Sequence, residues 1–372
     1  MTLVSILGDF HSSILPISYE FKEEITKHVI VYDDARSDME KLKRILAGQK
    51  AFFDTLTSDS VHHYDVSAMQ IDEDSYESIN RCLERIMTLE DNPKDIYLNT
   101  TDGLSSIAIV LSSKLMENGA KVIAYDRYDN TYNLHTKKSM THHPIRHNMD
   151  IKSHLLMKGY TIVKSSEPHA LLARKDVILK LTENLPAYKR FANSFQGTKS
   201  SSEVYGNDGY KKLLRSIGML ENTFFIQGTV FEEYIYHLIV DNFDFDDVWL
   251  GTTVLFTEYV KNEFDILMIK DNHLHTIECK FKRDIEGNSM IYKMELLMDY
   301  LDDDGKAMIL NIGGENENYD KKKYGKVKFN NADKHRARYG DIKTHVAKEF
   351  NEKKFLKDVK NWFCTEEGQI CK

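Results

Sequence analysis

Glu263-Phe264-Asp265-Ile266-Leu267-Met268-Ile269-Lys270, a break at Asp271-Asn272, and then Leu274-His275-Thr276-Ile277-Glu278-Cys279-Lys280-Phe281-Lys282 is the stretch on which the reading of this chain turns. It reads as two β-strands about a tight turn. Side chains alternate faces along a strand, so Phe264, Ile266, Met268, Ile277, Cys279 and Phe281 gather on an apolar face and Asp265, Glu278 and Lys280 on the other. If Asp271-Asn272 is a two-residue turn, Lys270 pairs with His273 and Asp265 stands directly across from Glu278. Opposed Cβ atoms lie about 4.5–5.5 Å apart, and two carboxylates at that distance repel unless something positive bridges them. A divalent cation, Mg2+ or Mn2+, prefers oxygen ligands and retains waters that can serve as a nucleophile. Lys280 is placed to orient or deprotonate such a water, or to stabilise charge on a phosphate. The plainer account is a surface ion pair on an amphipathic hairpin.

Upstream, Thr229–Asp241 reads as a helix whose apolar arc is Phe231, Tyr234, Ile235, Leu238 and Ile239. Glu232 falls at the edge of that arc, able to reach inward as a third carboxylate, while Glu233 is expected to point away. Downstream, Asn288 or Ser289 is a candidate cap for a helix over 290–301 carrying Tyr292 and Lys293, for which packing and solvation are as good an account as substrate contact.

The first 145 residues alternate short apolar runs with amphipathic stretches, the pattern of an α/β layer fold around a mainly parallel sheet. Strands are expected at 3–7, 28–32, 61–66, 95–98 and 121–125, and helices at 36–46, 75–89 and 104–118. Ligands of such sheets sit at strand carboxyl ends, which singles out two loops. One is Gly8-Asp9-Phe10-His11-Ser12-Ser13 and the other Asn99-Thr100-Thr101-Asp102-Gly103-Leu104-Ser105-Ser106. Neither is a G-x-G-x-x-G or Walker loop, which argues against a dinucleotide or a P-loop NTP. Thr101 and Asp102 equally suit plain helix capping, although the polar density there fits an anion or sugar at a helix N-terminus. Residues 146–225 read as a connecting region, with His142, His143 and His147 taken as surface histidines. From 226 a second α/β unit runs to residue 372.

Composition narrows the classes further. The 372 residues are 41% hydrophobic and 29% charged, enough apolar mass for real cores. No run approaches the about 18 apolar residues of a membrane span, and the start lacks a basic, then apolar, leader, so the cytoplasm is expected. Cys82, Cys279, Cys364 and Cys371 are scattered and read as reduced thiols. With 50 basic against 58 acidic residues the net charge is -8, so any nucleic-acid contact has to be local. The candidate is 319–339, where Lys321, Lys322, Lys323, Lys326, Lys328, Lys334, Arg336 and Arg338 interleave with Tyr319, Tyr324, Phe329 and Tyr339. Cations there would track a single strand and rings would stack on its bases; a solvated loop is the plainer account.

The order of parts, a helix carrying Gly-x-x-Phe-Glu at 228–232, a hairpin with Asp265 then Glu278-x-Lys280, and a Tyr-Lys helix, resembles the PD-(D/E)XK nuclease superfamily. The first unit, with Asn-Thr-Thr-Asp-Gly at 99–103, resembles a CARF domain. Joined, they look like the cyclic-oligoadenylate-activated ancillary nucleases of type III CRISPR antiviral defence, the Can/Card group. That resemblance implies a CARF domain over 1–145 and a restriction-endonuclease-like domain over 226–372. It also implies a homodimer that binds cyclic tetra-adenylate as allosteric activator, and Mn2+- or Mg2+-dependent cleavage of single-stranded DNA or RNA, with nicking of duplex DNA as a variant. By carry-over, Glu232, Asp265 and Glu278 would serve the metal and Lys280 the water and phosphate. Gly8, Asp9, Phe10, His11, Ser12 and Ser13, with Asn99, Thr100, Thr101, Asp102, Gly103, Leu104 and Ser105, would hold the ring. A Thr-Gly-Gly-Thr-Lys-like turn common in the group is replaced by Thr101-Asp102-Gly103-Leu104-Ser105, without its lysine. A restriction- or repair-type enzyme with an unrelated sensor, and a ligand-responsive binding module with an inactive nuclease fold, are the alternatives.

Overall fold

The computed structural model describes residues 1–8, 14–33, 35, 37–56, 64–101, 105–194, 208–280, 287–311, 336–337, 340, 342–346 and 350–363. Two compact units are present: Met1–Thr161 with Leu255–Val260 and Lys270–Asn272, and Ile162–Val254 with Lys261–Ile269 and His273–Lys372.

In the first unit β1 (Thr2–Ile6) is flanked by β2 (Lys27–Asp33) and β4 (Ile96–Asn99), with β3 (Asp65–Ile71) beyond β2 and β5 (Lys121–Asp126) beyond β4. All five are parallel. An antiparallel hairpin, β6 (Thr131–His135) and β7 (Met140–Pro144), continues the sheet past β5. Every residue of β1 is buried, as both faces of a helix-covered parallel strand must be. On one face Val4, Ile6, Val29 and Val31 pack with Ile79, Ile86, Ile107 and Leu111, which come from α3 (Tyr76–Met87) and α4 (Ser105–Glu117). The remaining helices of this unit are α1 (Leu15–Glu20), α2 (Met39–Leu56) and α5 (Ile151–Met157).

Three elements differ from the sequence reading. Helix α2 runs well past residue 46, through Gly48, which is glycine because a side chain there would collide with the end of α5 and the turn after it: a Cβ would lie 2.3 Å from the Gly159 amide and 2.4 Å from the Leu156 carbonyl. The third strand starts at Asp65 rather than 61 and ends at Ile71; residues 61–63 lie outside those described. The β6–β7 hairpin, which includes the exposed His142, was hidden by its polar sequence, edge strands needing no apolar face.

The second unit holds a six-stranded sheet in the order β13-β12-β11-β10-β9-β8. These strands are β8 (Thr161–Lys164), β9 (Asp247–Leu255), β10 (Lys261–Lys270), β11 (His273–Lys280), β12 (Ala307–Asn311) and β13 (Ile342–Val346). Helices α6 (Pro168–Thr182), α7 (Leu185–Ser194), α8 (Asp208–Ser216), α9 (Val230–Asn242), α10 (Gly287–Leu301) and α11 (Glu352–Phe363) accompany it. Ile266, Met268, Ile277 and Cys279 pack in one core with Ile235, Leu238 and Phe355, as period-two alternation requires. Leu171, Ile178, Leu181, Tyr188 and Leu214 join that core, so α6 to α8 are not a bare connection. Among the described residues no helix is long and apolar enough to cross a membrane.

Candidate active site

The hairpin turns on two residues with positive φ, Asp271 at 50° and Asn272 at 68°, the geometry of a tight two-residue connection that matches strand twist. Asn272 is fixed: its Oδ1 accepts from the Met149 amide at 2.8 Å and its amide donates to Asn130 Oδ1 at 2.9 Å. With that turn length Asp265 and Glu278 face each other on the side away from the Ile266–Ile277 core.

Asp265 Oδ2 accepts a hydrogen bond from the Cys279 amide at 2.7 Å and one from Lys280 Nζ at 3.5 Å. Lys280 Nζ also lies 2.5 Å from Glu278 Oε1. Glu278 is only 6% exposed. Burial, reinforced by the Glu278 charge and opposed by Lys280 and the Cys279 amide, pushes the Asp265 carboxyl up to about 6. Burial likewise raises Glu232, with Asp265 the next cause and Lys280 opposing, to about 8. Desolvation works against the Lys280 ammonium, yet Asp265 and Glu278 outweigh it and hold the group above its ordinary range. The two neighbouring carboxylates thus hold the Lys280 ammonium in its charged form.

Glu232 enters from the first turn of α9, just after the five-residue π-helical turn Phe225–Thr229, a wide turn that is common at functional sites. Its coupling to Asp265, Glu278 and Lys280 brings the four expected residues into one electrostatic cluster. Its neighbour Glu233 does not point into solvent: it is fully buried, and Arg174 Nε donates to both of its oxygens at 2.7 and 2.8 Å. Helical periodicity missed this because the face opposite the sheet is covered by α6. The oxygens of Glu232, Asp265 and Glu278 are the donor chemistry of a hard divalent cation. Among the described residues no three His, Cys, Asp or Glu side chains converge into a metal cage; Lys280 Nζ lies between the two strand carboxylates instead.

Tyr292 and Lys293 on α10 are exposed, and the guanidinium of Arg336 lies over the Tyr292 ring, 5.0 Å from its centroid. Apart from Arg336 and Ala337, the basic and aromatic stretch 319–339 lies outside the described residues.

In the first unit the strand order reverses at β1, which places the ends of β1 and β4 at the switch point where ligands of open α/β sheets bind. Both expected loops leave from there. Asn99 is buried and its Oδ1 accepts from the Thr101 amide at 3.2 Å and the Thr101 hydroxyl at 2.5 Å. Thr100 is tied back to the Ile123 carbonyl by its amide at 2.9 Å and its hydroxyl at 3.2 Å. Gly8 ends the described part of the first loop. Asp9, Phe10, His11, Ser12, Ser13, Asp102, Gly103, Leu104 and the side chain of Ser105 lie outside the described residues.

The chain joins a Rossmann-like unit, with a strand-order switch point at β1, to a mixed sheet carrying a carboxylate–lysine cluster. Residues 220–350 match the family model described as Card1-like, endonuclease domain. Over its length the chain is similar in fold to Can2 from Sulfobacillus thermosulfidooxidans, solved in complex with cyclic tetra-adenylate. That likeness has a TM-score of 0.66 at 16% identity, covering 98% of this chain and 99% of that one. It is similar also to protein VC1899 from Vibrio cholerae, with a TM-score of 0.70, 16% identity and 97% of each chain covered. No curated protein matches the sequence. The chain thus pairs a stretch that matches a Card1-like endonuclease domain with an overall two-domain fold like that of Can2, the resemblance its motifs led us to expect.

Proposed function

We propose that the protein is a homodimeric cytoplasmic nuclease, silent until a cyclic oligoadenylate binds its first unit, that then cuts single-stranded DNA or RNA with Mn2+ or Mg2+. The observation that carries this reading is the Glu232–Asp265–Glu278–Lys280 cluster inside a Card1-like endonuclease domain. Its support on the sensing side is the switch-point crevice and a fold like that of a protein solved with cyclic tetra-adenylate.

Glu232, Asp265 and Glu278 are the residues that would hold the cation, and a divalent cation supplies Lewis acidity at the scissile phosphate. The Cys279 amide keeps the Asp265 carboxylate turned toward Glu278. Lys280 keeps its proton and donates hydrogen bonds, so its charge is available to a phosphoryl oxygen as negative charge builds in the transition state. Glu232, raised to about 8, can hold a proton near neutral pH and release it as positive charge enters the cluster. A ring of repeated nucleotides presents the same groups to two copies of one surface, so a two-fold dimer would double the contacts.

The test is cleavage of single-stranded DNA and RNA with Mn2+, with and without cyclic tetra-adenylate, alongside the mass by light scattering. Activator-dependent cleavage by a dimer is expected. Equal rates with and without the ring, or a fully responsive monomer, would overturn the gating.

A further inference from the structure

Beneath the switch-point crevice runs a line of buried polar side chains that the nuclease reading does not use. Ser5 on β1, His28 on β2, Gln49 on α2 and Ser18 on α1 are all fully buried, and Asn99 on β4 is 1% exposed. They lie on the sheet face opposite the Val4–Val29 core and connect end to end. Thr101 Oγ1 donates to Asn99 Oδ1, and Asn99 Nδ2 lies 3.5 Å from Ser5 Oγ. Ser5 Oγ is 2.9 Å from His28 Nε2, and His28 Nδ1 is 3.1 Å from Gln49 Oε1. Gln49 Nε2 lies 3.4 Å from Ser18 Oγ, whose hydroxyl is 3.1 Å from the Ile14 and Leu15 carbonyls.

The chemistry of these groups fixes one direction for every proton. The Gln49 oxygen only accepts, so His28 Nδ1 carries the hydrogen and Nε2 is the acceptor. Ser5 then donates to Nε2 and is left to accept from the Asn99 amide, whose oxygen takes the Thr101 hydroxyl. On the other side the Gln49 amide donates to Ser18, which donates to the α1 carbonyls. A neutral imidazole bearing its proton on Nδ1 satisfies all the members. Burying five polar side chains where apolar ones would pack carries a desolvation cost, so a line of this kind calls for a role beyond filling space. Its two ends identify that role: Asn99 and Thr101 open one crevice loop, and Ile14 and Leu15 follow the other.

We propose that His28 is a positioning residue for activator binding, holding the start of one crevice loop and the end of the other in mutual register for an adenylate ring through Ser5–Asn99–Thr101 on one side and Gln49–Ser18 on the other. This rests on the assignment of the crevice to a cyclic oligoadenylate. His28 itself touches no ligand; it transmits the position of one loop to the other.

The experiment compares ring affinity by calorimetry, using cyclic tetra-adenylate, with thermal stability. In the combined variant Ser5→Ala, His28→Phe, Gln49→Leu the line is replaced by apolar groups, which keeps the core filled while cutting the connection. It is expected to fold and to bind the ring about tenfold more weakly than the parent. In 15N-labelled protein the His28 ring should show the Nδ1–H tautomer and its signals should move when the ring is added, which a purely structural histidine would not do. A folded combined variant that binds within about twofold of the parent overturns the proposal, as does an imidazole spectrum indifferent to the ring. Should the combined variant fail to fold, Ser5→Ala alone breaks the central link, and unchanged affinity there overturns it equally. If Thr101→Ala weakens binding while the His28 and Ser5 variants do not, the crevice assignment stands and only this inference falls; if the parent binds no cyclic oligoadenylate, both fall.

Discussion

Lys280 and Glu278, two residues apart on the same face of β11, form a 2.5 Å ion pair, and the same ammonium reaches 3.5 Å to Asp265 on the facing strand. One cation thus offsets two carboxylates that the strand register forces together. Lys280→Met removes the offset and leaves both acids half-desolvated. We expect loss of cleavage and a drop in unfolding free energy of roughly 3 kcal/mol near neutral pH. Urea denaturation measures it, and the deficit should shrink in acid as the carboxylates protonate. A variant as stable as the parent at every pH would show that Lys280 does not offset these charges.

Asp265→Asn tests the opposite member. Its raised pKa says that the buried charge is unfavourable in the free protein, and an asparagine oxygen can still accept from the Cys279 amide. The variant should unfold at the same temperature as the parent or higher, while cleavage with Mn2+ is abolished. Mn2+ should raise the melting temperature of the parent and not that of the variant, because the added cation relieves a repulsion that Asn does not have.

Acid should weaken the fold through His28. Burial, opposed only by the Gln49 hydrogen bond, lowers the imidazole from 6.5 to about 4. The unfolded chain therefore takes up this proton first, so stability is complete above about pH 6.5 and falls as pH drops toward about 4, by roughly 3 kcal/mol in all. Asp265 and Glu232 titrate in the opposite sense, their raised values costing stability as pH rises, so the comparison is parent against His28→Phe. The difference in unfolding free energy between them should change across this window and be flat above it.

Glu233 and Glu232 are adjacent in sequence and opposite in duty. Arg174→Met leaves the fully buried Glu233 without its partner and should cost about 3–5 kcal/mol. Adding Glu233→Leu should return most of that stability, with activator-dependent cleavage retained, because this pair belongs to the core between α6 and α9. Loss of cleavage in a well-folded double variant would place Glu233 in the catalytic cluster after all.

How much of this was legible beforehand follows from what each element is for. Strands β1, β2 and β4 of the first unit are largely buried apolar runs, and such runs announce themselves; β7 at the sheet edge and β6 beside it carry histidines and threonines, and do not. The Asp265–Glu278 pairing could be read because strand alternation and a two-residue turn are both arithmetic. Gly48 sits inside α2, past the expected end at residue 46, and its reason for being glycine, the Gly159 backbone, is more than a hundred residues away. Arg174 and Glu233, or Ser5, His28 and Gln49, meet only through tertiary packing, and nothing in their local spacing marks them as partners.

The short turn at Asp271-Asn272 has a consequence for how this sequence can vary. Asn272 is gripped by Asn130 and by the Met149 amide, so the two strands cannot slide past one another to absorb a change in length. One residue gained or lost in either strand would carry Asp265 or Glu278 through the sheet, into the company of Ile266 and Ile277. The hairpin therefore tolerates changes of letter but not of count: length drift in a lineage of such chains has to accumulate elsewhere, and the spacing from Asp265 to Glu278 is the more durable signature than the residues between them.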